Sequence, residues 1–390
     1  MRHPAALGGP PAFPDGLPFA RPFTPSLAAV TGRLGPSYDR GILTNGPLVR
    51  ELEERTAERL GVAHVVAVAS CTSGLMLVLR HLVASGGSVA LPSFTFSASA
   101  HAPAWCGLLP SFVECQADTF QVDVSDLEAR LDGTDAIVAT HVFGAPAPVE
   151  QLEKLAESAG IPLVFDAAHA LGSRRQGRPV GASGHAEVFS LSPTKLVVGG
   201  EGGLVATNRD DVAEAVVLGR DYGNPGDYDC RFPGVNARMS ELHAATALES
   251  LSMLDDHLVR RHALADRYRA GLESVDGIAV QVVDDGDSST YKDFTIRVDD
   301  DFGISRDVLA TALAAEGIDT RRYFFPPVHA QQAYAHLPPA KLPVTDEVAG
   351  RVLSLPMFGR LPLDAVDAVV EALAAVHHYA DQVGARVPPA

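Results

Sequence analysis

Between residues 64 and 208 the chain repeats one pattern: a short apolar or β-branched run, a turn of small residues, then an amphipathic stretch. Strand-like runs fall at 64–70, 88–92, 108–115, 135–144, 162–168, 187–192 and 202–208. Several of the intervals read as helices. CTSGLMLVLRHLVAS follows the first run, the small-residue segment 95–105 follows the second, VDVSDLEARL contains a capped helix, and VEQLEKLAESAG ends at Gly160 as its C-cap. Strands that alternate with helices at this spacing must be joined by crossovers. The expected architecture is therefore α/β, with a mostly parallel seven-stranded sheet covered by helices on both faces.

After Asp211 the pattern changes. Residues 239–275 read as helical, 278–283 and 293–298 as strands, 305–317 as a helix, and LDAVDAVVEALAAVHHYA closes the chain as another. A chain of 390 residues exceeds one ordinary core. The expected division is an irregular N-terminal arm (1–22, rich in Pro and Gly), a large domain (23–254) and a smaller C-terminal α+β domain (255–390). No internal repeat is visible.

The net charge is −17, from 31 basic and 48 acidic residues, with no basic block, which argues against nucleic-acid partners. The N-terminus does not resemble a signal peptide, and no run of about 18 apolar residues occurs, so neither a membrane partner nor a span is expected. The four cysteines form no CxxC pair and match no zinc spacing. They read as reduced thiols in a cytoplasmic protein, and no metal is expected.

Four features could carry chemistry. Lys195 follows a buried-looking strand, and the nearby Gly199, Gly200, Gly202 and Gly203 would let backbone pass close to a ligand. A lysine held there can lose its proton and attack an aldehyde, although a lone lysine is usually solvated. Asp166 ends the run PLVFD, where an α/β sheet faces its ligand crevice. It could neutralise a buried cation or simply cap the following turn. The turn ASCTSGL (69–75) opens a helix whose free amides suit a phosphate, and it reads equally as a plain Ser/Thr N-cap. In PSFTFSASA one of Phe94 and Phe96 could stack on a ring, and Phe94 is better assigned to the core. Together these supply what pyridoxal phosphate needs: an anion cradle, a stacking face, a carboxylate and an amine.

With these residues in order the chain resembles the sugar aminotransferases of the DegT/DnrJ/EryC1/StrS family, fold-type-I pyridoxal phosphate enzymes. The resemblance runs from about Phe23 to Leu361. Its landmarks are ILTNGPLVRELEERTAERLGV, PSFTFSASA, FDAAHALGS, SLSPTKLVVGGEGG, PGVNARMSELHAA, RRYFFPPVHAQQAY and SLPMFGRL. It implies that Lys195 is the Schiff-base lysine and that Asp166 keeps the pyridine nitrogen protonated. Ser190, Thr72 and Ser73 would hold the phosphate, and Phe96 would stack on the ring. Asn236 would reach the phosphate of a neighbouring subunit, so a homodimer with shared active sites is implied. Tyr323 and His329 are candidates for substrate contact.

Two departures stand out. His169 occupies a position where the family usually has Gln; it can reach the cofactor's ring oxygen, and its protonation would enter the spectrum and pH profile. Cys71 lies in the phosphate turn, where a backbone contact is indifferent to the side chain. The implied reaction moves an amino group from glutamate or glutamine to a keto sugar, a nucleotide-linked keto-deoxy sugar in the leading reading. The alternatives are a cyclitol aminotransferase, a sugar dehydratase of the same family, or a non-catalytic cofactor-binding regulator. Relatives that are dehydratases replace the lysine with histidine, and this chain keeps Lys195.

Overall fold

The computed structural model describes residues 2–389. Its main sheet has seven strands: β1 (His64–Val68), β2 (Ser88–Pro92), β3 (Leu109–Val113), β4 (Ala136–Thr140), β5 (Leu163–Asp166), β6 (Ala186–Ser190) and β7 (Gly203–Thr207). Their order across the sheet is β1-β7-β6-β5-β4-β2-β3. The pairs from β6 to β3 are all parallel, whereas β7 runs antiparallel to both β6 and β1. The exception has a local cause. No helix lies between β6 and β7, so the chain turns back without the crossover that a parallel neighbour needs.

The strands are apolar throughout because both faces are covered. In β1, Val66 and Val68 join one core cluster while Val65 and Ala67 join another on the opposite face. The helix Cys71–Leu82 contributes Leu75, Val78 and Leu79 to the first of these. The helix Val149–Ala159 ends as expected at Gly160, in the left-handed region at φ 66°.

A second sheet of three antiparallel strands forms from β8 (Ile278–Val280), β9 (Phe294–Val298) and β10 (Val352–Leu355). The first two fall within the strand-like runs 278–283 and 293–298, and β10 is a further strand. The helical stretch 239–275 is two helices, Glu241–Leu251 and Leu254–Leu272, broken at Ser252 and Met253. Leu254 packs in the main-sheet core, and Leu264, Tyr268 and Leu272 pack in the small-sheet core, so one helix runs from one core to the other.

The N-terminal segment has one short 3-10 turn, Ala5–Leu7, and is otherwise irregular, but it is packed. Phe13 and Leu17 donate to the carbonyls of Glu316 and Gly317, and Leu17 is buried in the small-sheet core. The buried Glu316 carboxylate accepts the N–H groups of Ala5 (2.8 Å) and Ala12 (2.9 Å). Among the described residues no helix is long and apolar enough to cross a membrane.

Candidate active site

The parallel strands bring their C-terminal ends to one side of the sheet, where a cavity of about 300 Å³ opens. β4 delivers Thr140, β5 Asp166 and β6 Ser190, each as its last residue. β1 leads into the helix Cys71–Leu82 through Ser70, an N-cap with extended backbone. Ser70 Oγ accepts the N–H of Ser73 at 3.1 Å, and Ser73 Oγ accepts the N–H of Ser70 at 3.1 Å. This leaves the Cys71 and Thr72 amides without an intrahelical acceptor, at the positive end of the helix dipole. Gly203 of β7 passes directly behind the turn. A Cβ there would lie 2.5 Å from the Cys71 nitrogen, so only glycine lets the two segments meet.

Asp166 is 4% exposed and is held by neutral donors. Ser99 Oγ donates to Oδ2 at 2.6 Å, the Ala168 N–H donates to Oδ1 at 3.0 Å, and the Cys71 thiol lies 3.9 Å from Oδ1. Ser99 continues to Thr95 Oγ1 (2.8 Å) and from there to Thr140 Oγ1 (3.0 Å). Asp166 thus closes the turn after β5, the second of its two readings, and also lines the cavity. Among the described residues no cation is ion-paired to it, an arrangement of a buried carboxylate that fits a cationic ligand atom.

Lys195 lies in the loop between β6 and β7 and lines the same cavity. Burial, followed by the nearby Lys292 charge, pushes its amine down to about 8, against the opposing pull of Asp293, Cys71 and Asp166. An amine tuned this way has a substantial neutral fraction near neutral pH and can attack an aldehyde or move a proton. His169 lines the cavity as well. Burial first, then the charges of Lys195 and Lys292, hold its imidazole well below the ordinary value. Both effects favour the neutral imidazole.

Thr72, Phe96, Ser190 and Tyr323 all line the cavity. Phe96 is 57% exposed, whereas Phe94 is fully buried in an aromatic cluster with Phe120, Phe143 and Phe324. Ser73 does not line the cavity, because its hydroxyl and amide are both engaged with Ser70. Asn236 is exposed, forms an isolated bridge with Asp221 and lies outside the cavity. His329 is also outside it: its Nδ1 is 2.7 Å from Ser93 Oγ, its N–H donates to the same oxygen at 2.9 Å, and Nε2 is 3.3 Å from Asp346.

Three residues not singled out in the sequence complete the site: Ser99, Lys292 and Asp293. The spacing of Ser99 from Thr95 within PSFTFSASA, one helical turn, could have suggested a shared partner. Lys292 and Asp293 carry no such signal, since adjacent opposite charges usually mark a solvated surface.

The donor set fits one cofactor chemistry: free helix amides for a phosphate, a buried carboxylate for a cationic ring nitrogen, and a tuned amine for an aldehyde. The model of the DegT/DnrJ/EryC1/StrS aminotransferase family matches residues 31–374. The chain belongs to this family of pyridoxal-phosphate-dependent sugar aminotransferases. It is 36% identical over 340 residues to the erythromycin biosynthesis sensory transduction protein EryC1 of Saccharopolyspora erythraea, covering 86% of this chain and 92% of that one. It is 31% identical over 348 residues to the dTDP-4-amino-4,6-dideoxy-D-glucose transaminase of Escherichia coli, covering 88% and 94%. The crystal structure of DesI in the presence of its TDP-sugar product superposes with a TM-score of 0.92 at 37% identity, covering 98% of each chain.

Proposed function

We propose that this protein transfers an amino group from L-glutamate or L-glutamine to a nucleotide-linked keto-deoxy sugar, as a homodimer. The observation that carries the reading is the pairing of Asp166, a buried carboxylate with only neutral protein partners, with Lys195, an amine held at about 8 in the same cavity. The acceptor class is supported by the similarity to DesI, crystallised with its TDP-sugar product, and to the E. coli transaminase.

Pyridoxal phosphate, when bound, supplies the aldehyde that takes up the amine and the ring that stores the electron pair released at the donor Cα. The amides of Cys71 and Thr72, with Ser190, would hold its phosphate, and Phe96 would cover one ring face. Asp166 would face the ring nitrogen as a buried carboxylate and favour its protonated form. Lys195 Nζ removes the proton from the donor Cα and, in the second half-reaction, returns one to the sugar carbon that gains the amine. Neutral His169 can donate or accept one hydrogen bond beside the ring without adding charge. The exposed position of Asn236, outside its own cavity, supports a role in the cavity of a second copy.

Absorbance tests the reading directly. The reconstituted protein should be yellow, bleach with L-glutamate or L-glutamine, and recover its colour when a nucleotide-linked keto sugar is added. A band that no amino donor changes would sink the transaminase assignment in favour of a dehydratase or a regulator. Recovery with a keto-cyclitol alone would move the acceptor class.

A further inference from the structure

The cavity also holds a buried charge pair whose hydrogen-bonding groups the reaction described above leaves unassigned. Lys292 and Asp293, 5% and 3% exposed, are adjacent in the chain, and Lys292 Nζ donates to Asp293 Oδ1 at 2.8 Å. This satisfies one of the three ammonium hydrogens and one carboxylate oxygen. Asp293 Oδ2 has no partner, and among the described residues it is the unpartnered buried side-chain atom whose residue lines the cavity.

The segment is built rather than loose. Lys292 donates its N–H to the Phe143 carbonyl at 3.0 Å. Buried Arg261 donates to the carbonyls of Tyr291 (2.7 Å) and Lys292 (2.8 Å), and Thr290 Oγ1 donates to the His169 carbonyl at 2.6 Å. Tyr291 is held at φ 45°, a conformation that surrounding contacts must enforce. An irregular stretch fixed at both main-chain and side-chain level, yet with one carboxylate oxygen unpartnered, has the form of a binding element.

The chemistry of a ligand that fits here follows from the pair. Lys292 and Asp293 together carry no net charge, so they offer little to the carboxylate of an amino donor, which would meet Asp293 as well as Lys292. A hydroxyl group both donates and accepts, and it can satisfy Asp293 Oδ2 and a remaining Lys292 N–H together. We infer that Lys292 and Asp293 are specificity-determining residues that read a ring hydroxyl of the sugar acceptor. This rests on the sugar reading of the same cavity. Tyr323 stands beside the pair: burial first, then the Asp293 charge, raises its hydroxyl above the ordinary value, which keeps it a neutral donor. A site that leaves a buried acceptor bare when the hydroxyl is absent discriminates strongly against the deoxy analogue.

Asp293→Asn turns the bare acceptor into a donor while leaving a carbonyl for Lys292. The double variant Lys292→Met/Asp293→Asn removes the pair without stranding a buried charge. The half-reactions are followed separately by absorbance on the holoenzyme, with L-glutamate as one probe and dTDP-4-amino-4,6-dideoxy-D-glucose, run in reverse, as the other. Direct binding of that amino sugar is measured by calorimetry on each protein. For Asp293→Asn, KM and Kd for the amino sugar should rise at least about tenfold more than KM for L-glutamate. The double variant should also lose the wild-type preference for the amino sugar over analogues deoxygenated at one ring position. Equal losses on both probes would reveal a structural role and overturn the inference, as would unchanged sugar binding. A wild-type protein that L-glutamate bleaches but no amino sugar does would overturn the sugar reading itself, and this inference with it.

Discussion

The two sides of the cavity are built by different rules. One side is the edge of the main sheet, where Asp166, Ser190 and the Ser70–Thr72 turn stand at strand ends and a helix start. Their directions follow from regular backbone geometry, so the chemistry there depends on residue type at a fixed place. The other side comes from residues 289–293, just before β9, and from the segment around Tyr323. Its backbone is irregular, Tyr291 is at positive φ, and its direction is set by long-range bonds from Arg261, Thr290 and Phe143. The sheet side offers what every substrate of such a reaction needs. The opposite side offers a neutral donor–acceptor pair, which suits choosing among substrates.

This contrast predicts where mutations hurt both half-reactions and where they hurt one. Lys195→Ala should give the largest effect, a loss of at least about 10³-fold in both half-reactions, because the nucleophile and the proton carrier disappear together. Stopped absorbance traces with donor and with amino sugar check this; near-wild-type turnover in either would end the mechanism. Asp166→Asn keeps the shape but removes the charge opposite the ring nitrogen, and both half-reactions should slow by about 10²-fold. A slowing confined to the sugar half-reaction would erase the division between the two sides.

The sheet side was largely legible in the sequence because period and position determine it. The run PLVFD identified a buried strand with a carboxylate at its end, and the structure places Asp166 there. Legibility failed where one pattern has two uses. Ser70-x-x-Ser73 serves as a capping box, which takes Ser73 away from the cavity while leaving Thr72 on it. The antiparallel direction of β7 was hidden because a strand's sequence does not record its direction; only the missing helix before it does. The N-terminal arm looked unstructured because Pro and Gly exclude helix, yet extended chain can still bury Leu17 and satisfy its amides on Glu316 and Gly317. Lys292 and Asp293 were invisible for a deeper reason: their burial is created by segments far away in the chain, and nothing local records it.

Lys292→Met sharpens the comparison by asking whether the two sides communicate. Burial and the Lys292 charge together hold Lys195 at about 8, below the usual 10.5. Removing the Lys292 cation takes away a like charge that disfavours protonation, and it frees Asp293, whose charge favours protonation. Both changes act in the same direction, so the Lys195 value must rise. The rate at which added pyridoxal phosphate restores the yellow band to the apoprotein reports the neutral amine. Its pH midpoint should move upward from about 8, and an unmoved midpoint would show that the two sides are electrically independent.

The smallest effect is expected at His329, which the sequence made a candidate for substrate contact. Its ring is not on the cavity; it braces Ser93, the residue after β2, from the 3-10 turn Val328–Ala330. Ser93 Oγ also accepts the His329 N–H, which survives truncation of the side chain. His329→Ala therefore removes one partner of a fully buried hydroxyl and leaves the other, a cost of about 1–2 kcal/mol read as a lower thermal midpoint. KM for the amino sugar should change by less than about threefold, since a brace one layer behind the cavity wall moves the wall little. A tenfold rise in that KM without loss of stability would instead place His329 in contact with substrate, and the boundary of the selective side would have to be drawn further out, through the 3-10 turn itself.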